Sequence, residues 1–160
     1  MKTIHWITQR PWLLVCIIFT LIFVVTLWPL LSLSRMPQWD ASDLSYPNFT
    51  YIIDAFREGR IPFWDPYVKS GYPFHAEPFQ PILNPFVFLI SLTSIGSVFG
   101  FILFWLGHWW ISGIGMIWLC SLFEATPMGA LVAALSFSFS GFFVGNAEHT
   151  PFIITIAWLP

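Results

Sequence analysis

The chain has 160 residues, 57% hydrophobic and 20% aromatic, with only 9% charged and a formal net charge of −2. A soluble domain carries about 25% charged residues, so this composition excludes an ordinary soluble fold. The lack of any basic run excludes a nucleic-acid partner. An integral membrane protein of the all-α type is predicted.

Lys2 and Arg10 precede Pro11, which suits the first position of a helix. From Trp12 to Leu31 no residue is charged, a length of about 30 Å as helix and enough for one hydrocarbon core. Residues 12–31 therefore read as a first span. Ser32-Leu33-Ser34 has the small-x-small form of a signal-peptide cleavage site, but signal cores run only about 7–15 residues. Cys16 lies in this run and Cys120 in a later apolar run, without metal-type spacing, and both read as free thiols.

A long outer loop is predicted over 32–84. Ten of the fourteen Asp, Glu, Lys and Arg residues fall between Arg35 and Pro85, as do most of the prolines. Within it Phe49, Ile52, Ile53 and Phe56 recur at helical spacing, with Asn48, Asp54, Arg57 and Glu58 opposite. Pro47 suits the first turn and Gly59 the left-handed position after the last. The spacing predicts a short helix over 47–58, lying in the bilayer interface with its Phe/Ile stripe in the acyl region. Packing of that stripe on the protein itself is the alternative. From Arg60 to Pro85 six prolines exclude regular helix. The interleaved Phe63, Trp64, Tyr67, Tyr72, Phe74 and Phe79 suit headgroup depth and also suit stacking on sugar faces.

Residues 84–94 are apolar but too short to cross and read as juxtamembrane or re-entrant. Residues 98–123 form a second span, and 128–145 a third, whose many Gly, Ala and Ser residues allow close helix approach. A tight turn at Glu124–Pro127 joins them. The run from 151 to 160 begins a further span and stops, which predicts that these residues are the N-terminal part of a longer protein. With a cytoplasmic N-terminus, the long loop and Glu148-His149 share the outer face. The positive-inside rule helps little, since Arg35, Arg57, Arg60 and Lys69 oppose Lys2 and Arg10.

Asp40 and Asp43 lie three residues apart just past the first span. Such a pair can hold a divalent cation or act as general base, or be plain solvated acids. Glu148-His149 forms a second polar pair predicted on the same face. His108 lies inside a span, where an ionisable residue is a functional candidate, with a helix-to-helix hydrogen bond as the alternative. Asp65 reads as a turn-capping residue.

The run from Ser42 to Pro85 resembles the first outer loop of the YfhO-like bacterial membrane proteins. The matching residues are Asp43-Leu44, Pro47, Gly59-Arg60-Ile61-Pro62-Phe63-Trp64-Asp65-Pro66, Gly71-Tyr72-Pro73 and Pro85, followed by His108, Ser140-Gly141-Phe142, His149 and Trp158-Leu159-Pro160. That family is similar to the GT-C membrane glycosyltransferases. The resemblance implies a multi-pass protein of the bacterial cytoplasmic membrane. Such a protein transfers sugar from a polyprenyl-phosphate carrier to an extracytoplasmic glycan or polymer acceptor. It also implies Asp43 as first and Asp40 as second catalytic candidate, with Glu148 joining them around a divalent cation (Mg or Mn). His149, Trp64 and the cations Arg57, Arg60 and Lys69 would bind substrate. A non-catalytic or truncated relative that binds lipid or glycan, or a subunit of a larger membrane assembly, is the second reading.

Overall fold

The computed structural model describes residues 10–160; Lys2 lies outside the described residues, as does the side chain of Arg10. Every regular element described is helical: α1 (Arg10–Thr26), α2 (Trp28–Leu31), α3 (Tyr46–Arg57), α4 (Pro85–Ser91), α5 (Ser97–Leu122), α6 (Pro127–Ser138), α7 (Gly141–Gly145) and α8 (Thr150–Ile156). A π turn, Ala41–Ser45, leads into α3, and a 3-10 turn covers Phe74–Ala76. Two stretches, Ser97–Leu122 and Pro127–Gly145, are long and apolar enough to cross a membrane.

The central element is α5, within one residue of its predicted bounds at each end. Its C-terminal half receives α1 and α6. Phe19 of α1 is fully buried over Gly113, where a Cβ would lie 1.9 Å from the ring. The Trp110 indole donates to Thr20 Oγ1 at 3.0 Å one turn away. On α6, Ala130, Ala134 and Ser138 recur at i+4 and are fully buried, the small-residue stripe that lets two helix backbones approach. The opposite face of α6 is open, with Met128 and Val132 exposed.

Two predicted spans are interrupted. The run 12–31 breaks at Leu27 between α1 and α2, because Pro29 has no N–H for the carbonyl four residues back and its ring crowds that turn. The run 128–145 breaks at Phe139–Ser140. Ser140 adopts extended backbone and its hydroxyl accepts from Phe143 N at 3.4 Å, starting α7 afresh. The Ser138 carbonyl left at the end of α6 accepts from the Trp109 indole at 2.6 Å, so the break leaves that group paired.

The N-terminal half of α5 carries the loop. Phe49 packs on Phe101 and Phe104 with ring centroids 5.5 and 5.3 Å apart, and Phe49, Ile52 and Ile53 are at most 1% exposed. The apolar stripe of α3 thus lies on the protein's own core rather than in the acyl region. A Schellman cap ends α3: Gly59 at φ +70° donates to the Phe56 carbonyl and Arg60 to that of Ala55. His108, 1% exposed, closes a satisfied chain. Its Nδ1–H donates to the Phe104 carbonyl at 2.7 Å, and its Nε2 accepts from Asn84 at 3.2 Å. The Asn84 side-chain oxygen caps α4 through Phe86 N at 3.0 Å. The hydrogen bond foreseen for His108 therefore runs to a capping residue, not to a second helix.

Candidate functional site

Trp39 begins the local fold that presents the acids. It sits at φ +56°, a strained setting for a bulky residue. The Trp39 carbonyl accepts from Ser42 N at 2.9 Å, Asp43 N at 2.8 Å and Ser42 Oγ at 3.0 Å. The next turn closes as a π turn, with Tyr46 N donating to the Ala41 carbonyl. A π turn holds one residue more than an α turn; Asp40, Leu44 and Ser45 line the adjoining groove, and Asp43 does not. Asp43 instead accepts from Ser42 Oγ at 2.9 Å and stays exposed.

His149 comes from the other end of the chain as the residue before α8, fixed by its N–H on the Asn146 carbonyl at 2.9 Å. Its Nδ1 lies 3.2 Å from Asp40 Oδ2 and its Nε2 lies 3.8 Å from Glu148 Oε1. All three side chains are partly solvated, so the contact positions the groups and adds at most about 1 kcal/mol of stability. Each ring nitrogen thus has a carboxylate beside it, Asp40 at Nδ1 and Glu148 farther off at Nε2.

The pair stands at the head of a groove between the 78–81 segment and α8. One part, of about 290 Å³, is lined by Asp40, His149, Leu44, Phe79 and Phe152. A second, of about 470 Å³, continues past Phe79 and Phe152 to Asn84 and Thr155. A narrower pocket beside them is bordered by Asn48, Gln80 and Thr150. The Thr150 hydroxyl is buried there with no hydrogen-bond partner among the described residues, a polar atom placed where a ligand or water belongs. Two aromatic rings, three amides, a carboxylate and an imidazole make a surface suited to a polyhydroxylated ligand.

The other candidates lie apart. Arg57 spans the end of α4, donating to the carbonyls of Thr93 at 3.1 Å and Ile95 at 2.8 Å, with a longer contact of 3.4 Å to Ser91. Arg60 is bound by Glu58, with Nε to Oε2 at 2.8 Å, and this hydrogen bond raises its pKa above the usual value. Lys69 lies 3.9 Å from Glu77 and over the Tyr72 ring. Trp64 covers Gly71, whose added Cβ would lie 2.8 Å from the indole. None of these four lines the groove. Asp65 is buried and caps its turn, accepting from Tyr67 N at 2.8 Å, as its sequence context predicts.

Asp40 lies against Nδ1 of His149, Glu148 is nearer Nε2, and Asp43 is engaged by the Ser42 hydroxyl instead. Among the described residues no three His, Cys, Asp or Glu side chains converge as ligands. Sequence reasoning missed Asn48, Gln80 and Thr150, whose polar types in apolar surroundings were the available signal. No protein-family model, curated protein or solved structure matches this chain.

Proposed function

We propose that this chain works as a multi-pass membrane glycosyltransferase-like protein, or as part of one, at the outer face of the bacterial cytoplasmic membrane. The donor is a polyprenyl-phosphate-linked sugar and the acceptor an extracytoplasmic glycan or polymer. The membrane setting is supported by the two membrane-length stretches and by α1, where Leu13, Leu14, Ile17, Leu21 and Val25 are all exposed. So much contiguous apolar surface is foreign to a soluble monomer. The N-terminus is then cytoplasmic and the 32–84 loop outside.

The observation that carries the chemical reading is the Asp40–His149 contact at the head of the groove. In the proposed step Asp40, 3.2 Å from Nδ1, orients the ring, and Nε2 takes the proton of the acceptor hydroxyl. As that O–H bond breaks, the oxygen bonds to the anomeric carbon, and the bond to phosphate breaks with its electron pair on the leaving lipid phosphate. Glu148, 3.8 Å from Nε2, offsets the imidazolium charge that forms. On this reading Asp40 takes precedence over Asp43, and His149 is the base rather than a binding group.

The test is transfer of labelled sugar from a polyprenyl-phosphate donor in membranes containing the protein. Asp40→Asn and His149→Gln should each lower transfer by about 10²-fold or more at unchanged expression, with Asp43→Asn within a few-fold of wild type. Undiminished transfer in both variants would overturn the reading. Donor binding without transfer in the wild type would instead favour a non-catalytic lipid- or glycan-binding protein.

A further inference from the structure

A larger open cleft, of about 820 Å³, shares no lining residue with the His149 groove. Thr26, Pro29 and Leu30 form one wall, and Arg35, Gln38 and Trp39 border the other. Arg57, Arg60 and Lys69 each have a carboxylate within 4.0 Å, whereas Arg35 has none among the described residues and is exposed. Its position is fixed: Arg35 N donates to the Pro29 carbonyl at 2.9 Å, and Ser34 Oγ reaches the same oxygen at 3.1 Å. The strained backbone at Trp39 turns its indole outward, 74% exposed, and Trp28 at the same helix end is 59% exposed. Indoles so placed belong at headgroup depth.

Below the cleft, Leu14, Ile18 and Ile22 are exposed and follow one another at i+4, and the same row continues into Thr26 and Leu30. A free cation above an apolar track is the complement of a lipid with a phosphate head. We propose that this cleft binds the phosphate of an anionic glycerophospholipid through Arg35, with one tail along the Leu14–Ile18–Ile22 row. The inference rests on the membrane reading alone and is independent of sugar transfer.

The test uses the full chain in detergent micelles, with phosphatidylglycerol, phosphatidylcholine and inorganic phosphate as probes and native mass spectrometry as readout. Wild type should bind phosphatidylglycerol in preference to phosphatidylcholine, and added salt should weaken that binding. Arg35→Gln should lose about tenfold in affinity, the scale of one charge-assisted contact. Arg35→Lys should recover most of it, and Arg60→Gln, whose guanidinium is held by Glu58, should bind like wild type. Unchanged affinity in Arg35→Gln overturns the proposal, as does salt-insensitive binding by wild type if that variant does not fold. Displacement of the lipid by an equal concentration of inorganic phosphate would make this a soluble-anion site and overturn the lipid assignment.

Discussion

Gly113→Ala tests how α1 is seated on α5. The added Cβ would lie 1.9 Å from Phe19 Cζ and 2.5 and 2.6 Å from the two Cε atoms. Carbon atoms settle near 3.5 Å, so the ring must retreat by about 1.5 Å. Phe19 is fully buried, and Phe23 lies 6.0 Å away, centroid to centroid. Overpacking of this kind costs about 1–3 kcal/mol, opposed by about 1 kcal/mol of helix propensity gained over glycine. The expected net effect is a loss of about 0–2 kcal/mol, against a gain at a site without the clash. Gly107, on the same helix, has nothing within 4 Å of its added Cβ, so Gly107→Ala keeps only the gain and should be neutral or stabilising. Phe19→Leu should relieve the clash and make the pair of changes less than additive. Reversible unfolding in mixed micelles, followed by far-UV circular dichroism, measures all four proteins. Equal stability of Gly113→Ala and Gly107→Ala would refute the notch between α1 and α5.

The loop and the topology supply three more expectations. Arg57→Ala should cost about 1–3 kcal/mol, because it strips a charged donor from the carbonyls after α4; Arg57→Lys should recover only part, and unfolding in micelles reads both. Asp65→Ala should open the 65–72 turn, whose backbone pairs Asp65 with Tyr72 at 3.0 Å in both directions. Limited proteolysis within 66–71 should then quicken several-fold, and an unchanged rate would mean the cap is idle. In a background without Cys16 and Cys120, single cysteines at Ser42, Ser70 and Gly145 should all react with an impermeant thiol reagent from outside intact cells. Labelling of Ser42 and Gly145 from opposite faces would separate Asp40 from His149 and remove the shared site.

What the sequence made legible follows from how local each signal is. The uncharged run of α5 between Gly96 and Glu124 gave both ends within a residue. Pro47 and Gly59 marked α3 through turn chemistry that needs no tertiary partner. The break at Leu27 was also readable, since Pro29 stood inside the predicted span. The break at Ser140 was not, because a Ser–Gly pair within an apolar run is equally compatible with continuous helix. The stripe of α3 was visible while its surroundings were not: an apolar face looks the same whether it meets lipid or Phe101 and Phe104. For the cations the same limit applied. Arg57 looked available because the carbonyls that it caps are more than thirty residues away, as its bond to Ser91 shows.

The two aspartates show why spacing alone could not rank the acids. At three residues apart, an α-helical reading puts Asp40 and Asp43 near one face, and motif resemblance then favours Asp43. In the structure the segment is a π turn, and it is Asp40 that meets His149 while Asp43 is engaged by Ser42. Asp40 still needs a partner, and His149 is supplied because α8 packs on α5, with Thr150 and Ile153 buried there. The His149 side is thus seated on the same helix that carries α3, so the pair is tied to one scaffold from both directions. An extra residue in the turn is tolerated in a helix only where surrounding structure fixes it, and such turns gather at functional sites. The strained Trp39 borders the Arg35 cleft, the π turn borders the Asp40–His149 groove, and the Thr150 hydroxyl lies in the narrower pocket beside it. Positive φ also occurs at Lys69, Ser70 and Glu124, in turns away from these sites, so it is the meeting of Asp40 with His149, not strain by itself, that marks this end of the fold.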